Sequence, residues 1–153
     1  VRLNKYATRM CVVDPEGSAF YIGWKNRDPG VTAVGSKIEG IGRPRVEPSF
    51  VPELVDRMIS VPDPASIAAM RWCTHKLDRW VGGSTGTNMW GALQLVAEMK
   101  ADGTRGSVVT LICDGGERYV DTHYDDAWVA AQGLDLSAPR ATLAAFAAGG
   151  AWG

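Results

Sequence analysis

The chain has 153 residues, of which 46% are hydrophobic and 22% are charged, and its formal net charge is −1. This composition is typical of one globular domain and excludes a disordered or collagen-like chain. The near-neutral charge gives no basic footprint for nucleic acid, and no apolar run reaches the roughly 18 residues of a membrane-spanning helix. The cysteines are too widely spaced for a zinc site and favour reduced thiols in a cytoplasmic setting: Cys11, Cys73 and Cys113.

The first sixty or so residues predict two short strands separated by a long loop. Residues 8–14 form a β-branched run that ends at a turn, which is typical of a buried strand. Residues 17–47 contain glycines and charges without a helical period, so we expect a loop with short strands at most. Residues 49–58 predict a short helix starting near Val51, and residues 59–61 predict a second strand. In that helix we expect three side chains to point inward: Leu54, Val55 and Met58.

The middle of the chain predicts two amphipathic helices. Asp63 and Pro64 are typical of a helix start, with Asp63 as the N-terminal cap, and the apolar residues that follow are three or four positions apart. We expect these residues to form one buried face: Ile67, Met70, Thr74 and Leu77. Residues 82–88 are small and predict a loop, after which a second long helix ends at residues 102–103.

The last third of the chain predicts one strand and two helices. Residues 107–113 are apolar almost throughout, which is typical of a strand covered on both faces. Helices are predicted around residues 125–132 and 139–148. Strands that alternate with helices favour an α/β fold with parallel strands, but a covered sheet usually has about five or six strands. We therefore expect a partial α/β domain, and an initial Val1 in place of Met favours a piece of a longer protein.

Residues 82–88, of sequence GGSTGTN, are the first stretch that could carry chemistry. Ligands of open α/β sheets bind at the carboxyl ends of the strands, and glycines at a helix start let a ligand approach free backbone N–H groups. The Ser84 hydroxyl would then face this crevice. The alternative is an ordinary helix cap made by Ser84 or Thr85. A nucleotide-binding unit is the weakest alternative, because the dinucleotide glycine pattern and the P-loop lysine are both absent.

Two further glycine-containing stretches could face the same crevice. Gly40 and Gly42 bracket Ile41, which suits a backbone lying flat against a ligand ring, although turn chemistry alone explains the pair equally well. Residues 114–119, of sequence DGGERY, directly follow the predicted strand. Asp114 therefore stands where ligand-facing carboxylates of α/β sheets stand, and the alternative is a cap for the next turn.

The remaining candidate side chains are weaker. His123 follows the third stretch and could reach the same crevice, whereas His75 lies in an amphipathic helix and is expected to face solvent. No group of histidine, cysteine and acidic residues has the spacing of metal ligands, so no metal site is predicted. The sequence also lacks the serine elbow of the α/β hydrolases.

Taken in order, these stretches resemble the cysteine synthase and cystathionine β-synthase family. Three strings carry the likeness in the order and spacing of that family, namely residues 38–42 (IEGIG), 82–86 (GGSTG) and 114–119 (DGGERY). Residues 43–50 and 84–88 look most like an actinobacterial branch described as L-cysteine desulfhydrase or cysteine synthase-like. The resemblance implies pyridoxal phosphate as the cofactor and the tryptophan synthase β-like fold of type II pyridoxal-phosphate enzymes.

The resemblance also implies which residues hold the cofactor. Ser84 matches a serine whose hydroxyl bonds to the pyridine nitrogen, and a neutral hydroxyl at that place favours β-elimination and β-replacement over transamination. Gly83 shapes the turn that aims Ser84. The other implied contacts are the loop that lines the cofactor and substrate and the motif behind the cofactor nitrogen: Gly40, Ile41 and Gly42, and then Asp114 and Tyr119.

Two functional parts of that family have no counterpart in the chain. The Schiff-base lysine and the phosphate loop are expected upstream of residue 8, and Lys76 imitates the lysine motif only superficially, because it lies within an amphipathic helix. We therefore expect no catalytic residue here and interpret residues 1–153 as the C-terminal part of a larger cofactor-binding domain. The implied partners are the N-terminal half or a second chain supplying it, a small amino-acid substrate, and a second copy in a homodimer.

The function expected from the resemblance is that of a pyridoxal-phosphate-dependent L-cysteine desulfhydrase, which converts cysteine to sulfide, ammonia and pyruvate. This chain alone is expected to be inactive. The nearest alternative is O-acetylserine sulfhydrylase, or cysteine synthase, which makes cysteine by β-replacement. A different class of alternative is a non-catalytic module that binds a partner chain through an exposed apolar face.

Overall fold

The structure, a computed structural model, describes residues 6–153. Its secondary structure is a pair of parallel strands with helices between and after them along the chain, as the predicted α/β class requires. Two short 3₁₀ turns, at Pro52–Leu54 and Glu117–Tyr119, complete the regular structure. The strands and α-helices, in chain order, are β1 Cys11–Pro15, α1 Ala19–Asn26, β2 Arg57–Val61, α2 Asp63–Leu77, α3 Gly83–Ala101, α4 Asp126–Ala131 and α5 Ser137–Ala147.

The two strands pair in parallel, with Cys11 opposite Arg57 and Pro15 opposite Val61. Parallel strands cannot be joined by a tight hairpin, and the connection between β1 and β2 is a crossover that contains α1. The predictions of a strand near residues 8–14 and of a second one at residues 59–61 are thus confirmed. The same holds for α2, α4 and α5, whose bounds lie within a few residues of the predicted ones.

Helix α2 lies at the centre of the hydrophobic core. Ile67 and Met70 are fully buried, as the predicted apolar face requires, and each contributes about 1.5 to 3 kcal/mol through burial. Leu77, in the last turn, is 47% exposed and does not belong to that face. The helix packs against α3 and α5, and β1 and β2 pack against α3. The core therefore holds α3 between the sheet and α2.

The contact between α2 and α3 depends on Gly86. A Cβ atom at this position would lie 2.0 Å from the backbone oxygen of Ser66 and 2.8 Å from the Cβ atom of Met70. Next to it, the Thr87 hydroxyl donates to Ser66 Oγ at 2.8 Å. The two helix backbones thus approach each other more closely than any side chain at residue 86 would allow.

The predicted loop over residues 17–47 is wrong in part, because helix α1 forms at Ala19–Asn26. Ser18 caps this helix by accepting a hydrogen bond from the Phe20 N–H, and the carboxylate of Asp14 accepts another from the Tyr21 N–H at 2.9 Å. Its fully buried residues are the small Ala19 and Gly23. Because the buried face contains small residues, no periodic row of large apolar side chains reveals the helix in the sequence.

The predicted helix at residues 49–58 is also wrong. Only the 3₁₀ turn Pro52–Leu54 forms there, and Leu54 is 51% exposed rather than inward. Met58 is buried as expected, but within β2, because pairing with β1 holds residues 57–61 extended. The long-range strand contact thus overrides the local helical pattern.

The apolar segment at residues 107–113, which the sequence predicts as the clearest strand, forms no strand. Val109 is 89% exposed and Leu111 is 71% exposed. The segment lies beside the start of α3, where the Asn88 amide donates to the Leu111 carbonyl oxygen at 3.3 Å. A strand requires a neighbouring strand, and the described residues offer this segment none.

Two helix starts also differ from the prediction. Helix α2 is capped by Pro62, and Asp63 instead accepts hydrogen bonds from the Ser36 hydroxyl and the Lys37 N–H, both at 2.8 Å. Helix α3 begins at Gly83, so most of the predicted loop at residues 82–88 is its first turns. In the described part of the chain, no helix is long and apolar enough to cross a membrane.

Candidate functional site

A polar cluster lies at the N-terminal end of α3 and joins three residues that the sequence analysis selected. The Ser84 hydroxyl, in the first turn, donates to Asp114 Oδ1 at 3.4 Å. The Tyr119 hydroxyl donates to Asp114 Oδ2 at 2.8 Å. Two hydroxyl donors therefore converge on one carboxylate, and we call these three residues the Ser84–Asp114–Tyr119 cluster.

The backbone of the glycine pair holds Asp114 against the helix start. The Gly82 N–H donates to the Asp114 carbonyl oxygen at 3.0 Å, and a Cβ atom at Gly82 would lie 2.0 Å from Asp114 Oδ1. A Cβ atom at Gly83 would lie 3.0 Å from the Ile38 side chain and 3.2 Å from Nδ1 of His123. A side chain at Gly82 would therefore displace the Asp114 carboxylate, and a side chain at Gly83 would press on Ile38 and His123.

The alternative that Ser84 or Thr85 is an ordinary helix cap is wrong. The cap residue is Gly82, and no side chain caps the helix. Instead, the Thr85 hydroxyl oxygen accepts a hydrogen bond from the Cys113 N–H at 3.0 Å and so fastens residues 107–113 to α3. The sequence analysis considered Thr85 only as a cap. The signal that it could belong to the site was its position next to Ser84 in the small-residue string at residues 82–88.

Burial and hydrogen bonding fix the protonation of Tyr119. Its side chain is almost fully buried, and burial, followed by the hydrogen bond to Asp114 and the charge of that carboxylate, raises the pKa of Tyr119 to about 12. The phenol therefore keeps its proton at neutral pH and acts as a hydrogen-bond donor to Asp114.

The glycine loop around Gly40 and Gly42 adjoins the cluster through its neighbours. Both glycines have positive φ, 80° and 75°, which explains glycine at these turns. Glu39 forms an ion pair with Arg118 at 2.8 Å, which ties the loop to the 3₁₀ turn that contains Tyr119. Both ion-pair partners are exposed, so the pair contributes little to stability.

The three predicted residues of this loop face different surroundings. Gly42 lies against Pro15 and Ser18, where a Cβ atom would come within 2.9 Å of the proline ring. Ile41 packs against the core cluster around α2. A Cβ atom at Gly40 would meet nothing within 4 Å, so this backbone borders open space.

His123 is brought to the same place. It is 2% exposed, its ring stacks on Tyr119, and its Nδ1 atom faces Gly83. The sequence analysis named it only as a weak candidate, and its position four residues after Tyr119 was the available signal. His75 is exposed, as expected, and Lys76 lies on exposed α2 surface over the Trp72 ring, away from the cluster.

Other features of the described residues do not extend this site. Residues 6–153 contain no group of histidine, cysteine and acidic side chains that could hold a metal ion. An open apolar cleft of about 400 Å³ lies between the last turns of α3 and the C-terminal tail. It is roughly 20 Å along the helix from Ser84, given about 1.5 Å per residue, and contains none of the selected residues.

The family is established by residues 1–114, which match the sequence profile described as pyridoxal-phosphate dependent enzyme. The match covers most of the chain and includes Ser84 and Asp114, and the chain belongs to this family. Among curated proteins, it is 57% identical over 147 residues to an L-cysteine desulfhydrase of Mycobacterium tuberculosis. It is also 31% identical over 137 residues to a putative cysteine synthase of Sinorhizobium fredii.

These relatives are much longer than the chain. The first alignment covers 95% of this chain and 40% of the desulfhydrase, and the second covers 88% of this chain and 38% of the synthase. The chain thus spans about two fifths of the length of these curated relatives.

Solved structures confirm the predicted fold. A cysteine synthase from Entamoeba histolytica matches with a TM-score of 0.64 at 22% identity, over 79% of this chain and 33% of that one. A hydrogen sulfide-producing enzyme matches with a TM-score of 0.63 at 24% identity, over the same shares of the two chains. The prediction of a partial fold type II α/β domain is therefore confirmed.

Proposed function

We propose that the chain is part of a pyridoxal-phosphate-dependent L-cysteine desulfhydrase. The reaction takes cysteine and water to sulfide, ammonia and pyruvate. The observation that carries the proposal is 57% identity, over 95% of this chain, to a protein described as an L-cysteine desulfhydrase. The aligned region includes the polar cluster at the start of α3.

The donor set at the start of α3 suits the cofactor ring. The bound cofactor would supply an electron-accepting pyridine ring. Ser84 and Asp114 place a hydroxyl and a carboxylate side by side, and either can bond to a ring nitrogen. Tyr119 donates to Asp114 and holds it in place. We propose that these residues contact the cofactor together with Gly83 and the loop residues Gly40, Ile41 and Gly42.

The direction of the Ser84 hydrogen bond matters for this assignment. Its hydroxyl donates to Asp114, so the oxygen lone pairs are left for any partner in the crevice. A ring nitrogen that carries a proton can donate to that oxygen, whereas an unprotonated nitrogen requires the hydroxyl to turn away from Asp114. The Ser84 hydroxyl can therefore bond to a ring nitrogen in either protonation state, in the second case by giving up its long hydrogen bond to Asp114.

We further propose that the remaining parts of the site come from polypeptide outside this chain. In this proposal, residues 1–153 form the C-terminal part of the larger cofactor-binding domain, and an N-terminal part supplies the Schiff-base lysine and the phosphate loop. Support comes from the 40% coverage of the desulfhydrase and from the exposed apolar side chains of Val109 and Leu111. Whether two copies pair as a homodimer stays a prediction.

A reducing, cytoplasmic location is part of the same proposal. Each described cysteine is free, and burial raises the pKa of Cys73 to about 11, which keeps it an unreactive thiol. A cysteine-consuming enzyme without disulfides suits such a compartment.

Cysteine synthase activity is the second candidate. The Sinorhizobium fredii relative favours it, but at 31% identity rather than 57%. The two activities differ in what they release, because the desulfhydrase yields sulfide from cysteine and the synthase consumes sulfide with O-acetylserine.

The test uses the full-length protein loaded with pyridoxal phosphate. We expect sulfide release from cysteine to exceed cysteine formation from O-acetylserine, and we expect Ser84→Ala to lower sulfide release roughly tenfold, the worth of one hydrogen bond. Ser137→Ala, at the exposed start of α5, is the matched control and should leave the rate unchanged. Inactivity of the wild-type protein in both assays would refute the proposed function, and an unchanged Ser84→Ala variant would refute the site.

A further inference from the structure

His123 is a buried polar side chain that the proposed function leaves without a role. Its side chain is 2% exposed. Nε2 lies 3.2 Å from the Lys37 carbonyl oxygen, and Nδ1 has no hydrogen-bond partner among the described residues. A buried imidazole nitrogen without a partner costs stability, and a role for the ring would explain why this cost is retained.

The contacts of the ring determine its tautomer. A carbonyl oxygen can only accept, so Nε2 carries the proton and Nδ1 presents a lone pair. Burial lowers the pKa of His123, which keeps the ring neutral. The charged groups around it oppose each other, since Glu39 and Asp63 favour protonation and Arg71 on α2 disfavours it.

Aromatic contacts hold the ring parallel to Tyr119. The two ring centroids are 5.1 Å apart and the planes differ by 10°. Trp128 meets the His123 ring edge-on at 5.3 Å and 67°. The Arg71 guanidinium donates from Nε to the His123 carbonyl oxygen at 2.7 Å, which fixes the backbone beneath the ring. The ring can therefore neither tilt nor slide without disturbing Tyr119.

The Tyr119 ring in turn sets the position of Asp114. Its hydroxyl is the shorter of the two donors to that carboxylate, at 2.8 Å compared with 3.4 Å from Ser84. We propose that His123 is a positioning residue, whose flat ring orients Tyr119 so that the Tyr119 hydroxyl holds Asp114 against Ser84. The inference rests on the proposed function, because it concerns the orientation of the cofactor-facing groups.

The experiment compares two replacements of His123 in the full-length, cofactor-loaded protein. His123→Leu removes the flat ring and keeps apolar volume, whereas His123→Phe keeps a ring that can stack on Tyr119 and loses both nitrogens. We expect His123→Leu to lower kcat roughly tenfold with little change in KM, because misplaced groups slow the reaction more than they weaken binding. His123→Phe should restore most of that loss, and the absorption maximum of the bound cofactor should shift for Leu and return for Phe.

A double-mutant cycle tests whether the effect passes through Tyr119. The loss of kcat in a variant with both His123→Leu and Tyr119→Phe should not exceed the larger of the two single losses, because both changes disturb the same contact. His75→Phe, at the exposed histidine of α2, is the control and should change neither kcat nor the absorption maximum. Multiplied losses in the double variant, or equal losses in the Leu and Phe variants, would overturn the positioning role.

A measurement on the wild-type protein covers the case in which His123→Leu does not fold. With ¹⁵N-labelled histidine, the His123 signals should show a neutral Nε2–H ring from pH 6 to pH 8 and should be identified by their loss in His123→Phe. A ring that takes up a proton between pH 6 and pH 7 would contradict the buried, stacked placement on which the inference rests. This measurement needs no turnover, so it separates failure of the inference from failure of the proposed function, which appears as a wild-type protein without sulfide release.

Discussion

Two adjacent parts of the chain, residues 107–113 and residues 114–119, depend on their surroundings in opposite ways. The first part is apolar, and Val109 in it is almost fully exposed. The second part contains Asp114 and Tyr119, and the carboxylate of Asp114 is bonded to hydroxyl groups of the same chain. The polar site is thus assembled from residues within this chain. An apolar strand, in contrast, needs a partner strand that the described residues do not provide.

The largest expected effect tests whether the exposed segment is covered in the full-length protein. Leu111→Asp should lower the free energy of unfolding by about 3 kcal/mol or more, because it places an unpaired charge where an apolar side chain is buried against a partner. Chemical denaturation of the full-length protein measures this change.

The control for this change is Thr104→Asp, at an exposed position whose natural side chain is polar. It should alter the free energy of unfolding by no more than about 0.5 kcal/mol, as surface substitutions usually do. If Leu111→Asp were as mild as this control, residues 107–113 would have no partner, and the contrast between the two adjacent parts would lose its explanation.

An intermediate loss of stability is expected from a change in the contact between α2 and the first turns of α3, where the polar cluster lies. Gly86→Ala introduces a Cβ atom 2.0 Å from the Ser66 backbone oxygen, so α2 and α3 must separate. We expect a loss of about 1 to 2 kcal/mol in the free energy of unfolding, because an overpacking cost of about 1 to 3 kcal/mol exceeds the gain in helix propensity.

Thermal unfolding of the full-length protein measures the effect at Gly86. The matched control is Gly106→Ala, whose Cβ atom would meet only the flexible end of Met99. A Gly86→Ala variant as stable as this control would mean that the helices can shift without cost, and that the start of α3 is not held by this contact.

The smallest expected effect on stability concerns an ion pair whose two partners, like those of the polar cluster, both belong to this chain. Arg57 on β2 binds Glu98 on α3 through both carboxylate oxygens, at 2.7 Å for Nη2 and Oε1. The hydrogen bond from Arg57 lowers the pKa of Glu98 and also raises the pKa of Arg57. Glu98→Gln should therefore lower the free energy of unfolding at pH 7 by less than about 1 kcal/mol, since the pair is partly exposed.

The pH dependence of that loss follows from the direction of the shift. A lowered pKa means that the pair stabilises the folded state above the ordinary glutamate pKa of about 4.3, and that this contribution disappears as the pH falls through the lower folded-state value. The free energies of unfolding of wild type and Glu98→Gln should thus converge as the pH falls below about 4. A difference that persists in acid would show that the two side chains act through packing rather than charge.

Local sequence patterns predicted the helices that depend on local signals. Helix α2 has Pro64 in its first turn and a periodic row of apolar side chains, and α4 has the capping residue Asp125. Helix α1 lacks such a row, and its cap at Ser18 stands in a glycine- and charge-rich stretch. Residues 107–113 show the opposite error, because apolar composition predicts burial without showing that a partner strand is present.

The sequence predicted which residues form the site but not how they contact one another. The order of three short strings suggested Ser84, Asp114 and Tyr119, and the structure brings these residues together. Nothing in a single sequence indicates that Asp114 accepts from both hydroxyl groups, because that depends on the close approach of Gly82. His123 was undervalued for the same reason, since stacking is a property of the folded chain.

The glycine at residue 86 has a consequence for how such a protein can change over evolutionary time. Since the α2 and α3 backbones touch there, their packing depends on a contact that contains none of the residues proposed to face the cofactor. Substitutions around Ser84 can therefore accumulate while the packing of the two helices persists. A protein that replaces this glycine must instead change how α2 and α3 pack, and that change would move the residues at the start of α3.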